Sequence, residues 1–223
     1  MDAASALPVL ALDIQDGNHV ADYCAAPGGK ALLMYLTLKD CQFDLNDISI
    51  SRSYRLETVF NSFIPRSSNR KINFTRMDAT KLIRPNTYDR ILVDVPCTND
   101  RHSLYASDNN IFSRTRINER IGIPTKQMNI LLAALNSVKV GGTVVYSTCS
   151  LSPIQNDGVI HMALKTILER QHHSFAVVNM KESMRPFRGL FRFNHYFRYG
   201  TQVVPFLCSN YGPMYFAKFI RTG

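Results

Sequence analysis

Short apolar runs alternate with helix-patterned segments along this chain, and that alternation admits few folds. Residues 19–24, 41–45, 72–76, 88–95 and 143–147 read as strands, and 175–179 and 214–220 close the series. Residues 30–38 read as a helix after the first strand. Residues 51–63 carry Leu56, Val59, Phe60 and Phe63 on one helical face, and 125–138 carry Met128, Leu131, Leu132, Leu135 and Val138 in another stripe. Lys139-Val140-Gly141-Gly142 stops that helix. Ser152-Pro153 supplies an N-cap with proline at the first position of a helix running to about residue 170. Strands joined through helices lie parallel, so the expected architecture is α/β: one domain over residues 1–223, a mostly parallel seven-stranded sheet, helices on both faces. Ligands bind such sheets at the carboxyl ends of strands. The least regular segments are 98–124, which should overhang the site, and 180–213.

At the end of the first predicted strand stands Asp22-Tyr23-Cys24-Ala25-Ala26-Pro27-Gly28-Gly29-Lys30. Glycines there let a ligand approach the backbone, because no Cβ intervenes. The helix amino terminus that follows favours a negative group such as a carboxylate. Asp47 ends the second strand about 18 residues later, where an acid can accept from both hydroxyls of a ribose. Asp78 ends the third and can accept from an adenine amino group. The turn is neither GxGxxG nor GxxxxGK[ST], which argues against a dinucleotide and a P-loop. S-Adenosylmethionine, with an amino-acid end, a ribose and an adenine but no phosphate, fits better. Taken singly, Asp47 or Asp78 could equally cap the segment that follows it.

Two cysteines also close predicted strands. Cys97 ends Ile91-Leu92-Val93-Asp94-Val95-Pro96-Cys97, and Cys149 sits in Tyr146-Ser147-Thr148-Cys149-Ser150. Thiols at two strand ends beside a ligand loop suit covalent chemistry next to a bound cofactor. Cys24, Cys41 and Cys208 read as small buried hydrophobes. No CxxC pair occurs, which argues against a zinc site. No secretory signal is visible, so the thiols are expected to be reduced. No apolar stretch approaches the ~20 residues of a membrane span.

The net charge of +9 is unevenly spread: residues 1–100 hold 11 Lys/Arg against 12 Asp/Glu, whereas 101–223 hold 15 against 5. A neutral half followed by a basic half suggests a small-molecule site beside a surface for a polyanion. Arg185, Arg188, Arg192 and Arg198 lie among Phe187, Phe191, Phe193, Tyr196 and Phe197. That stretch could hold RNA by phosphate contact and stacking, or be a solvated arginine face over core aromatics. His102 and the pair His172-His173 read as ordinary polar residues.

Asp22…Lys30, Asp94-Val95-Pro96-Cys97 and Ser147-Thr148-Cys149-Ser150, in that order, resemble the Sun-domain (NSUN) RNA cytosine-5 methyltransferases, and the likeness covers nearly the whole chain. The resemblance implies a Rossmann-like, S-adenosylmethionine-dependent methyltransferase fold. It implies that Ala26, Gly28, Gly29 and Lys30 line the cofactor site, that Asp47 binds the ribose with Arg52 in support, and that Asp78 and Ala79 lie by the adenine. It places Asp94 by the reacting centre, makes Cys149 the nucleophile and makes Cys97 the residue that helps to release product. Asp94 to Leu104 and the tail Val203-Val204-Pro205…Asn210-Tyr211-Gly212-Pro213-Met214-Tyr215-Phe216 most resemble the member acting on mitochondrial ribosomal RNA. The mitochondrial tRNA member shares Asn-Asp-Arg and Gly-Pro-Met-Tyr.

By that resemblance the chain is expected in the mitochondrial matrix, methylating a cytosine of small-subunit rRNA in support of mitoribosome assembly. Its expected partners are RNA and a helical-repeat protein of the mitochondrial transcription-termination-factor family, with no membrane and no metal. A tRNA methyltransferase and a non-catalytic RNA-binding assembly factor are the alternatives, and the intact cysteines and cofactor acids argue against the second. Family members carry an amino-terminal RNA-binding extension, whereas 21 residues precede Asp22 here, so a shortened form without a transit peptide is expected. The chemistry requires a thiolate: addition at C6 of cytosine makes C5 enamine-like, so Cys149 should be deprotonated or nearly so. Asp94 is expected to bond the base at N3 and the exocyclic amine.

Overall fold

A computed structural model of the chain describes residues 2–37, 40–65, 71–106, 108, 110–170, 173–194 and 196–223. Among these described residues nine strands form one sheet: β1 (His19–Asp22), β2 (Gln42–Asn46), β3 (Ile72–Thr75), β4 (Tyr88–Asp94), β5 (Val138–Thr148), β6 (Phe175–Val178), β7 (Phe193–Asn194), β8 (Thr201–Val203) and β9 (Met214–Arg221). Six α-helices accompany them: α1 (Ala6–Ala11), α2 (Gly29–Thr37), α3 (Ile50–Phe63), α4 (Asp100–Ser103), α5 (Ile117–Leu135) and α6 (Val159–Arg170). The strand order is β3-β2-β1-β4-β5-β9-β8-β7, and β6 shares the outer edge of β9 with β8. β1 to β5 are parallel, and β9 runs antiparallel to β5.

The order climbs outward from β1 to β3 on one side and from β4 to β5 on the other. The boundary between β1 and β4 is therefore the topological switch point, where a crevice opens beyond the carboxyl ends of the strands. Register brings the ends together there: Asp22 lies opposite Leu92, and Asp94 opposite Ser147.

Side chains alternate between two cores, as the pleat requires. Val20, Phe43, Leu45, Leu92, Val145 and Phe216 face Leu7 of α1, Met34 of α2 and Leu56 and Phe60 of α3. Ala21, Ile91, Val93, Val144, Tyr146 and Phe219 face Leu131 and Leu135 of α5 and Ile160 of α6. Strands buried on both faces explain why the apolar runs in the sequence are continuous rather than alternating.

The parallel α/β architecture, with helices on both faces, matches expectation; the strand count does not. Nine strands replace seven, because β7 and β8 span only two and three residues inside the segment read as irregular. Such short pairings leave no periodicity to read. α5 starts at Ile117, not 125, since Pro124 lies inside the helix where proline would ordinarily mark a break. Val138 belongs to β5, paired with Tyr88 ahead of a bulge. Gly142 makes that bulge possible, for a Cβ there would lie 2.6 Å from Val138 Cγ2 and 2.9 Å from the Asp89 carbonyl oxygen. A π-helical turn, Ile154–Gly158, precedes α6. α1 had no counterpart in the sequence reading. Leu38, expected in α2, and His172 lie outside the described residues.

Candidate active site

The glycine turn leaves β1 and enters α2. Gly28 has φ +110°, a left-handed conformation that glycine adopts without penalty, and a Cβ there would lie 3.0 Å from Leu56 Cδ1. Asp22 precedes the turn, is 1% exposed, and accepts from the Cys24 backbone N–H at 3.2 Å. Burial, with Asp94 adding repulsion, pushes its carboxyl up to about 8. The sequence marked Asp22 as part of a motif but gave no sign of this; only the depth of the strand end in the sheet reveals it.

Asp47 follows β2 directly. Its Oδ1 accepts from the Ser49 N–H at 3.0 Å, while Oδ2 is buried with no hydrogen-bond donor on it. Arg52, on the first turn of α3, has Nη1 at 3.4 Å from that Oδ2 and donates through Nη2 to the Ala26 carbonyl. One guanidinium thus links the glycine turn to Asp47. An orphaned, buried carboxylate oxygen is costly unless something donates to it, and a ribose hydroxyl has the right chemistry. Asp78 lies three residues past β3, where its Oδ1 accepts from the N–H and hydroxyl of Thr80, holding its carboxyl below the usual range. It is therefore a turn cap, beside buried Ala79. A cleft of about 530 Å³ joins Asp22, Ala26, Gly29, Lys30 and Asp94.

Asp94 ends β4. Its Oδ2 accepts from Lys30 Nζ at 2.8 Å and its Oδ1 from Ser147 Oγ at 2.7 Å. Burial alone would lower the Lys30 ammonium, but the ion pair with Asp94 outweighs it, and the net shift is upward. Lys30 thus points from α2 to the end of β4.

Cys97 and Cys149 meet, Sγ to Sγ, at 3.1 Å. Both are partly accessible and neither is disulfide-bonded. Donation from Cys149 holds the Cys97 thiol below its usual range. Acting as donor to Cys97, together with burial, drives Cys149 upward. Of the two thiols, Cys97 is the one held below its usual range and Cys149 the one driven above it.

The loops bearing the thiols are tied by side chains the sequence reading did not single out. Cys149 Sγ contacts Asn99 Oδ1 at 3.4 Å, and the Asp100 carboxylate accepts from the Leu151 N–H at 2.6 Å and Ser150 Oγ at 3.2 Å. Arg101 reaches the Gly212 carbonyl at 2.9 Å. Asn-Asp-Arg therefore fastens the Cys97 loop to the Cys149 loop and to the tail. The signal was in the sequence, but only as a likeness.

A second cavity of about 630 Å³ opens beside Cys97, lined by Asn99, His102, Arg116 and Lys126 among others. The 185–199 stretch differs from a stacking platform. Phe191 is buried and Phe187 and Phe193 pack on the core, while Tyr196 is 99% exposed. Cys208 is exposed rather than buried, whereas Cys24 and Cys41 are buried as expected. Among the described residues no group of His, Cys, Asp and Glu could hold a metal, and no helix is long and apolar enough to cross a membrane.

A model of the family described as 16S rRNA methyltransferase RsmB/F matches residues 9–219. The chain is 46% identical to the 5-cytosine rRNA methyltransferase NSUN4 of Xenopus laevis over 99% of its own length and 55% of that protein's. With the Mus musculus protein of the same name it shares 44% identity, over 99% of this chain and 59% of the relative. The mitochondrial tRNA (cytosine(34)-C(5))-methyltransferase of Danio rerio is 34% identical, over 98% of this chain and 59% of that protein. The chain thus spans little more than half the length of these relatives. Among solved structures, NSun6 of Pyrococcus horikoshii with SFG superposes with a TM-score of 0.74 at 20% identity, over 100% of this chain and 53% of that one. That likeness shows the fold.

Proposed function

Because the chain belongs to the 16S rRNA methyltransferase RsmB/F family, we propose that it transfers a methyl group from S-adenosylmethionine to C5 of a cytosine in RNA. The observation that carries this reading is the pair of thiols 3.1 Å apart at the ends of β4 and β5, with Asp94 between them and the glycine turn. Residues 1–223 act as one catalytic domain, built on one continuous sheet.

The cofactor site fits its ligand. The buried, undonated Oδ2 of Asp47 suits the ribose, the turn from Ala26 to Gly29 lies open on the cleft, and Arg52 braces both. By the family resemblance Asp78, which also caps its own turn, and Ala79 would lie by the adenine. When bound, S-adenosylmethionine supplies the methyl as an electrophilic carbon on a sulfonium sulfur.

The protein's own residues prepare the base. Cys97, the more acidic of the two thiols, gives its proton to water and takes that of Cys149 across their hydrogen bond, and the Cys149 thiolate adds to C6. The C5–C6 π electrons then make C5 a nucleophile. Asp94 accepts from the exocyclic amine, and the Lys30 ammonium held against it offsets charge developing at N3. Once Cys97 has passed its proton to water it is again a base. It removes the C5 proton, the C5–C6 double bond re-forms, and Cys149 leaves as thiolate.

Ribosomal RNA is the proposed substrate. Higher identity to the rRNA enzymes than to the tRNA enzyme supports it. The names of the relatives likewise support a mitochondrial site of action. A transcription-termination-factor-type partner belongs to the same proposal, since the basic half alone offers mainly phosphate contacts. The test is incubation of the chain with labelled cofactor and with ribosomal, transfer or unrelated RNA, with and without that partner. Label in ribosomal RNA is expected; label confined to tRNA would overturn the substrate.

A further inference from the structure

Cys97 and Cys149 lie 52 residues apart in sequence, and their 3.1 Å separation must be set by groups that touch both loops. One dipeptide does. Gln155, 5% exposed in the π-helical turn before α6, reaches the loop of Cys97. Its Oε1 accepts from the Thr98 N–H at 3.1 Å, and its Nε2 donates to Thr98 Oγ1 at 3.0 Å. Its carbonyl accepts from Tyr146 OH at 2.6 Å, so the same residue is fixed to β5 three positions before Cys149. Asn156, fully buried, brackets Cys149 itself: Oδ1 accepts from Thr148 Oγ1 at 2.6 Å and Nδ2 donates to the Ser150 carbonyl at 3.0 Å. From α5, buried Gln127 donates to the Pro96 carbonyl at 2.9 Å and contacts Gln155 Oε1 at 3.3 Å.

We propose that Gln155 is the positioning residue that sets the distance between the two thiols. The peptide before Cys97 is held by Gln127 and the peptide after it by Gln155, while the neighbour of Gln155 holds both flanks of Cys149. Two loops from different strands are thereby referred to one buried turn. Polar groups satisfied in this way are stiff, because breaking any one bond leaves a buried partner unpaired. Gln155 touches neither thiol and acts only through Thr98. Its consequence for catalysis rests on the reading of the thiols as a reacting pair; its consequence for their geometry does not.

The experiment uses disulfide closure as a ruler that needs neither RNA nor cofactor. The purified chain is treated with diamide, and formation of the Cys97–Cys149 bond is followed by mass spectrometry of the linked peptides. Each closure removes two protons and two electrons from the thiols and reduces the diazene to its hydrazine. Wild type is expected to close quickly. Gln155→Met keeps the side chain's size and drops both bonds to Thr98; it should close about tenfold more slowly and, given RNA, turn over up to about 100-fold more slowly, the scale of a misplacement near 1 Å. The Kd for S-adenosylhomocysteine should not move. Gln155→Glu keeps an acceptor for the Thr98 N–H and should recover part of the closure rate, which a packing defect would not allow. Where the Met variant does not melt cooperatively, Gln155→Glu is compared with wild type by itself and should close more slowly, since it loses the bond that Nε2 donates to Thr98 Oγ1. Closure at the wild-type rate in a folded variant overturns the proposal, as does a wild type that does not close. Slowed closure with unchanged turnover upholds the positioning and overturns the catalytic reading of the pair.

Discussion

The glycine turn and the cysteine pair sit at neighbouring strand ends, yet they are held in opposite ways. The turn is shaped mostly by its own backbone: a strand end, a left-handed Gly28 and the start of α2, all within Asp22 to Lys30. The pair is shaped by side chains from elsewhere, with Asp100, Gln127, Gln155 and Asn156 each bonding to one or both cysteine loops. The first region is a local device that tolerates change around it. The second is a tertiary device, in which a distant substitution can move a sulfur. The turn is thus shaped mainly by neighbours in sequence, and the thiol pair by residues far along the chain.

The sharpest break in that comparison is expected from the thiols. Cys149→Ala should abolish methyl transfer while leaving S-adenosylhomocysteine affinity almost unchanged, as turnover assays and calorimetric titration will show. Substantial turnover in this variant removes Cys149 from the chemistry. Cys97→Ala should have a different signature, with attack proceeding but elimination failing. A slow, RNase-sensitive protein band on a denaturing gel is the expected result. The same band in Cys149→Ala, with Cys97 intact, would mean that the two roles are exchanged.

A smaller effect is expected from the turn side. Asp47→Ala removes the buried Oδ2 that awaits a donor. Charge-assisted hydrogen bonds are worth roughly 1.5–3 kcal/mol each, so affinity for S-adenosylhomocysteine should fall by about tenfold or more. An unchanged Kd reduces Asp47 to the cap that its Oδ1 already provides for Ser49.

A further effect is one of stability and depends on pH. Asp22 titrates at about 8 in the fold against 3.8 ordinarily. Its folded pKa is raised, so the folded state binds the proton more tightly than the unfolded chain. Stability is then fully present below about 3.8 and is lost as pH rises toward about 8. Asp22→Asn stays neutral and escapes that loss. Melting curves at pH 5, 6.5 and 8 should diverge in favour of the Asn variant as pH rises. Parallel curves would mean that Asp22 is already ionised in the fold at neutral pH.

β4 and β5 were legible because their ends are buried on both faces and read as unbroken apolar runs, while β2 and β3 were placed by the regular alternation of short strands with helices. β7 and β8 were not, for two or three residues carry no period. Pro124 hid the first two turns of α5, since local chemistry disfavours proline where tertiary packing of the helix retains it. In the site, Gly28, Asp47 and the two cysteines announced themselves by residue type and by place at strand ends. Gln127, Gln155 and Asn156 did not, because a buried amide looks in sequence like any surface one.

Sequence alone therefore determined the mostly parallel α/β architecture, the glycine turn after β1 and the place of the two thiols at strand ends. Those features follow from local propensity and from residues next to one another in the chain. Tertiary structure decided which thiol is pushed down and which up, where the Lys30 ammonium points and how Asp22 titrates. Each of these depends on distance and burial between residues far apart in sequence, and electrostatic energy is set by those two quantities rather than by residue type.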